Sequence, residues 1–118
     1  MSRDTAFPGI IVEEVTVQVG RDAVTRTFDT GLAEDVTPDS VKSLLDEVPM
    51  YGSQFVDSRL EYQLLVDSPS KYSAMSKARG FIRLKNPFEP DIIDIFNVEE
   101  VESGLLRNTY RIEANIRK

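Results

Sequence analysis

The stretch from Gln54 to Lys85 constrains the fold most strongly, because its apolar period changes around a single Ser-Pro pair. Apolar and polar residues alternate from Phe55 to Val66, which predicts a strand with one buried face. The predicted buried row is Val56, Leu60, Tyr62, Leu64 and Val66. Asp67-Ser68-Pro69 then predicts a turn, with Ser68 as a helix cap and Pro69 at the first helical position.

The segment from Pro69 to Lys85 has the period of an amphipathic helix. Its predicted apolar face is Ala74, Met75, Ala78, Phe81 and Ile82, and we expect Tyr62, Met75 and Phe81 to lie in the core. Lys77 and Arg83 fall on the opposite face, with Lys71, Arg79 and Lys85 toward its flanks, and no acidic residue occurs in the segment. This basic face is interpreted as either a solvated surface or a contact with the acidic part of a neighbouring copy.

Alternation and turn residues predict four further strands, at 10–19, 23–28, 92–98 and 106–116. The first two form a hairpin, and the continuous apolar run at 92–98 predicts a central strand. A turn at Asp29-Thr30-Gly31, an acidic loop from Leu32 to Val36 and an acidic turn from Glu99 to Gly104 separate the elements. Thr37-Pro38 starts a short helix that Pro49 ends. Its apolar stripe is Val41, Leu44, Leu45 and Val48.

The predicted order of elements is β-β-α-β-α-β-β. It indicates a single α+β domain over residues 10–118, preceded by an N-terminal arm over residues 1–9 that ends in Pro8-Gly9. The expected architecture is two-layered, with a mostly antiparallel sheet of four to five strands and two helices on one face. A chain of 118 residues has room for one such core.

The composition excludes several kinds of site. Without cysteine or histidine, the chain lacks the usual ligands of zinc and iron–sulfur sites and the base of a Ser-His-Asp triad. A net charge of −6 argues against a main role in binding nucleic acid. The longest apolar runs are too short to span a bilayer, and the N-terminus lacks the apolar core of a signal peptide. We therefore expect no catalytic residue, metal or cofactor, and no membrane or specific nucleic-acid partner.

Charge is distributed unevenly along the chain. Residues 1–58 carry four basic and eleven acidic side chains, a net of −7, whereas residues 59–118 have a net of +1. Glu34 and Asp35 are the candidate acidic partners of the basic helix face in a head-to-tail contact. Acidic pairs elsewhere lack the spacing of a calcium site and are interpreted as solvated. The pairs are Glu13-Glu14, Glu34-Asp35, Asp46-Glu47 and Glu99-Glu100.

From Thr27 onward, the order of motifs resembles the tail terminator (tail completion) or minor capsid proteins of long-tailed bacteriophages. Phe28–Gly31 matches a strand that ends in "DTG", and Tyr62–Val66 matches the strand that follows. Tyr72 to Ile82 matches a helix with a tyrosine in its first turn and alanines at helical spacing. Arg107 to Ile116 matches the last strand. Leu32 stands where the family usually has a second glycine, and a strand-like segment replaces the usual first helix.

The resemblance implies a structural virion protein without an enzymatic reaction. Copies form a ring, commonly a hexamer, that caps the tail tube at the neck and joins it to the head. The implied partners are the protein itself, the tail tube and the neck or connector proteins, and assembly takes place in the host cytoplasm. The interface residues proposed from the charges are Lys71, Lys77, Arg79, Arg83, Lys85, Glu34 and Asp35.

Three alternatives stay open. The chain could act elsewhere in such a particle, as a head–tail connector or baseplate component, or it could be a small cellular α+β binding domain. Asp29-Thr30-Gly31 also matches the tripeptide of dimeric aspartic proteases, although the later strand-glycine motif of those enzymes is missing.

Overall fold

The computed structural model describes residues 9–19, 22–27, 32–47, 58–86 and 92–117. The described strands are β1 (Ile10–Val19), β2 (Asp22–Arg26), β3 (Ser58–Ser68), β4 (Ile92–Ser103) and β5 (Asn108–Arg117). The helices are α1 (Pro38–Glu47) and α2 (Lys71–Lys85), and a 3-10 turn spans Ala33–Asp35.

The strands form one antiparallel sheet in the order β2-β1-β3-β5-β4. β3 lies in the middle and pairs with β1 on one side and β5 on the other. The two helices pack on one face of this sheet, α1 against β1 and β2, and α2 against β3, β4 and β5. The predicted two-layer α+β fold is therefore confirmed, as is the order of its helices and strands.

The inner row of β3 is the centre of the core. Leu60, Tyr62, Leu64 and Val66 are buried there, as the alternation predicts. The ring of Phe81 on α2 meets the ring of Tyr62 edge to face, with centroids 6.2 Å apart and planes at 88°. Ala74, Ala78 and Ile82 are also buried, which confirms most of the predicted apolar face of α2. Met75 is only half-buried.

The start of α1 has the predicted cap. The Ser40 amide donates to the Thr37 hydroxyl at 3.1 Å, and the Thr37 amide donates to the Ser40 hydroxyl at 2.9 Å. This reciprocal pair satisfies one amide of the open first turn. Val41 and Leu44 then project into the core. The described part of the predicted stripe is thereby confirmed.

The prediction that Ser68 caps α2 is wrong. β3 continues through Ser68, which pairs with Asn108 of β5 and is fully buried. Because the ladder holds Ser68 in an extended conformation, the cap moves two residues along the chain. The Ser70 hydroxyl accepts a hydrogen bond from the Ser73 amide at 3.2 Å, and α2 begins at Lys71.

The prediction of a central strand at 92–98 is also wrong, because β4 is the edge strand of the sheet. Only Ile93, Ile95 and Val98 turn toward the core, and each is partly buried. The register of β4 against β5 shifts between Ile95 and Asn97 and again between Glu100 and Glu102, so Phe96 and Val101 are extra residues at bulges. The bulge at Phe96 breaks the alternation of apolar and polar residues in β4, so the apolar residues Ile95 and Phe96 are adjacent in the sequence.

The β4–β5 hairpin corrects two boundaries. Residues 99–103 were predicted to form a turn, but they continue β4 to Ser103, and the connection to β5 is Gly104–Arg107. Leu106 was predicted to share the buried face of the last strand, but it lies in this connection and is exposed. Tyr110, Ile112, Ala114 and Ile116 are buried as predicted.

The segment from Leu32 to Val36 is more ordered than the predicted acidic loop. Leu32 forms an isolated bridge with Ile11, the 3-10 turn follows, and Ala33 and Val36 are buried. Several predictions fall outside the described residues. They concern the N-terminal arm up to Pro8, the strand end at Phe28, the turn at Asp29-Thr30-Gly31, the helix end at Pro49 and the buried position Val56.

Two tyrosines provide a matched test of core hydrogen bonding. No described residue hydrogen-bonds the buried Tyr62 hydroxyl, and burial raises the pKa of that hydroxyl above its usual range. The Tyr110 hydroxyl accepts from Asn108 Nδ2 at 3.1 Å. We expect Tyr62→Phe to leave the free energy of unfolding unchanged or raise it by about 1 kcal/mol, and Tyr110→Phe to lower it by about 1 kcal/mol. Urea denaturation of both variants checks this, and a larger loss for Tyr62→Phe contradicts it.

Candidate subunit-contact surface

The basic residues predicted to share one face of α2 differ in their exposure to solvent. Lys71, Arg79 and Arg83 are exposed, whereas Lys77 and Lys85 are half-buried. The prediction that Lys77 lies on the outer face is wrong, because its ammonium turns back and donates to the backbone carbonyl of Asp67 at 3.3 Å. The outward basic surface of α2 is therefore narrower than the sequence indicates.

Two large apolar side chains accompany the exposed cations. Tyr72 in the first turn is 84% exposed, and Leu84 in the last turn is 58% exposed. Residues 72, 76, 80 and 84 recur every fourth position and so follow one row of the helix surface, beside Arg79 and Arg83. An exposed face that combines cations with apolar side chains is suited to contact with an acidic and apolar partner.

Glu34 and Asp35 are exposed in the 3-10 turn. That turn packs against β1, whereas α2 packs against β3, β4 and β5. The acidic turn and the basic face of α2 thus pack against different strands of the sheet. A contact between the acidic turn of one copy and the basic face of another stays a prediction. The separation is compatible with a head-to-tail arrangement, in which the two patches belong to different subunits.

Sequence reasoning missed a second exposed surface, the connection Gly104–Arg107 between β4 and β5. Leu105 is 104% exposed and Leu106 is 87% exposed. The connection is held at its base, because the Asn108 side-chain oxygen accepts from the Gly104 amide at 3.2 Å. A Cβ at Gly104 would clash with the Arg107 carbonyl oxygen, so this close approach requires glycine. The glycine and the asparagine four residues later were the available turn signals.

A polar network on the sheet face opposite the helices was missed as well. Glu13 is the extra residue of a bulge in β1, between Val12 and Glu14. Its carboxylate accepts from Arg111 Nε at 3.0 Å and from Gln63 Nε2 at 3.1 Å, and thereby connects β1, β3 and β5. The interpretation of Glu13 as a solvated acid is therefore wrong. The signal was the sequence Val12-Glu13-Glu14-Val15, which breaks strict alternation.

Opposing effects set the pKa of Glu13. Partial burial raises it, but the hydrogen bonds from Arg111 and Gln63 and the charge of Arg111 outweigh burial and hold the pKa below its usual range. The hydrogen bond with Glu13, followed by the attraction of its charge, raises the pKa of Arg111. Arg111 also lies 3.9 Å from a carboxylate oxygen of Glu99 on β4. The arrangement fixes strand positions and gives no nucleophile or activated base.

In the described part of the chain, no group of three acidic, histidine or cysteine residues lies together as metal ligands would. None of the described helices has the length and apolarity needed to cross a membrane. Comparison with protein-family models, curated proteins and solved structures found no match.

The charge of Glu13 should stabilise the fold in a pH-dependent way. Because its folded pKa is lowered, its contribution is present above the unfolded value of about 4.3 and is lost as the pH falls through the folded value. We expect Glu13→Gln to lower the free energy of unfolding by about 0.5–1 kcal/mol at pH 7, a modest amount because Arg111 is 35% exposed. The difference from wild type should shrink below pH of about 4.3.

Urea denaturation from pH 7 to pH 3 measures this difference. Glu14→Gln, at the neighbouring position in the same strand, is the matched control, and we expect it to change the free energy of unfolding by less than about 0.5 kcal/mol. An equal effect of the two substitutions, or one for Glu13→Gln that does not depend on pH, contradicts the assigned role of the Arg111 contact.

Proposed function

We propose that this protein is a structural component of a long-tailed bacteriophage, a tail terminator that forms a ring at the neck, caps the tail tube and joins it to the head. The observation that carries the proposal is the continuous unit from β3 through the Ser-Pro turn into α2. The motif residues Tyr62–Val66 fall in β3, and Tyr72 to Ile82 fall in α2. The strand motif from Arg107 to Ile116 falls in β5 from Asn108 onward, with Arg107 in the preceding connection.

The surface of α2 gives the proposal its physical basis. The exposed tyrosine and leucine on this basic helix offer apolar area that contact with a partner would bury. The net charge of −6 provides acidic residues for such a contact if the partner is another copy. A head-to-tail contact of unlike surfaces closes into a ring when the rotation between copies divides the circle evenly.

The test is the assembly state of the full chain. Negative-stain electron microscopy and native mass spectrometry should show closed rings of identical subunits, most commonly six. Arg79→Glu combined with Arg83→Glu should reduce ring formation, because both side chains are exposed and their reversal places acid against acid. Lys42→Glu is the matched control, an exposed cation on α1. A protein that stays monomeric at high micromolar concentration contradicts the proposal and favours a small binding domain.

Position in the particle separates the terminator from a connector or baseplate component. Purified rings mixed with tail tubes of the same particle should bind at one end of each tube and stop its elongation, which electron microscopy of labelled protein can measure. Binding along the tube wall, or to the portal side of isolated heads alone, contradicts the terminator assignment.

A further inference from the structure

The tip of the β4–β5 hairpin is an ordered apolar projection. Leu105 and Leu106 are almost fully exposed there, and Val101 at the second bulge of β4 is 40% exposed. Asn108 holds the base of the tip through its bonds to Gly104 and Tyr110. Adjacent leucines exposed at the end of a hairpin are suited to insertion into another surface.

The β4 side of the tip is acidic, whereas the connection itself ends in the exposed Arg107, which lies 3.9 Å from a carboxylate oxygen of Asp67. β4 carries four acidic residues and no basic one, and three of its acids lie next to the tip. They are Glu99, Glu100 and Glu102, all exposed. This charge opposes docking on nucleic acid or on an anionic membrane surface. It favours a partner surface on which apolar side chains stand beside cations.

The C-terminal half of α2 has those properties. Leu84 is exposed beside Arg79 and Arg83, and no acidic residue lies on α2. The tip and this patch are therefore matched in both charge and apolar character. We name the patch of Arg79, Arg83 and Leu84 the α2 end patch.

The two surfaces occupy opposite ends of the same subunit. Ser68 pairs with Asn108, so the start of α2 and the hairpin tip share one end of the sheet. Ile92 pairs with Arg117 at the other end, where α2 finishes. The helix rise of about 1.5 Å per residue puts Leu84 about 20 Å along α2 from Lys71. The hairpin tip of one chain thus cannot contact the α2 end patch of the same chain. A contact between these two surfaces requires two copies.

We propose that the hairpin tip of one copy seats on the α2 end patch of the next, with Leu105 and Leu106 against Leu84 and with Glu100 and Glu102 beside Arg79 and Arg83. The contact joins unlike surfaces and leaves a free tip and a free patch on every dimer, so it propagates head to tail. It makes Glu100 and Glu102, in place of Glu34 and Asp35, the acidic partners of the basic helix in the ring, and in that respect it rests on the proposed function.

Cross-linking tests the contact directly, because the chain has no cysteine of its own. Full-length Leu105→Cys protein is mixed with full-length Leu84→Cys protein and treated with a short bis-maleimide. We expect covalent dimers that contain one chain of each kind, identified by mass spectrometry after isotopic labelling of one protein. Thr25→Cys, exposed on β2, replaces Leu84→Cys in the matched control. A yield no higher than in that control overturns the contact.

Charge reversal tests the same contact by a different readout. Glu100→Lys with Glu102→Lys should raise the dissociation constant of the assembly at least about tenfold, and so should Arg79→Glu with Arg83→Glu. A protein with all four changes restores opposite charges across the contact, so its dissociation constant should return toward that of wild type. Circular dichroism verifies that these exposed substitutions leave the fold intact. The proposal is overturned if either pair of substitutions leaves the dissociation constant unchanged. It is also overturned if the protein with all four substitutions shows no recovery of the dissociation constant.

The outcomes distinguish the contact from the ring. Rings that survive Glu100→Lys with Glu102→Lys, but are reduced by Arg79→Glu with Arg83→Glu, overturn the tip-to-patch contact and leave the proposed function standing. Open filaments or short chains that depend on the tip support the contact and contradict the ring. A wild-type protein that stays monomeric overturns both.

Discussion

Everything else in this fold depends on the two-sided pairing of β3. It bonds to β1 along one edge and to β5 along the other, and its inner row receives α2 through the Tyr62–Phe81 contact. Because β3 leads into α2 across only Pro69 and Ser70, the strand and the helix that covers it are formed by neighbouring residues. The remaining strands extend a unit that local sequence already specifies.

The parts of the fold that sequence predicted best are those where one local pattern acts alone. Alternation in β3 and helical spacing in α2 identified the buried residues, since each side chain there faces either the core or water. Prediction failed where a bulge broke the period, as at Glu13 and Phe96, because two residues then oppose one on the partner strand. The edge position of β4 depends on pairing between distant segments, which no local pattern encodes.

The sequence predicted only part of the candidate contact surface. Composition placed cations on α2 correctly, but it could not show that Lys77 folds back to the carbonyl of Asp67. Leu106 was predicted to be buried because the alternation was extended to two residues before the start of β5 at Asn108. The apolar tip became visible only when the hairpin register fixed Gly104–Arg107 as its connection.

The bulges of β4 have a consequence for how copies can meet. An exposed edge strand normally offers a continuous row of backbone donors and acceptors to which a second strand can add without limit, as in amyloid. In β4 that row is interrupted at Phe96 and at Val101, and the acidic side chains of the strand repel an identical edge. Addition of a further strand is therefore disfavoured at this edge of the sheet.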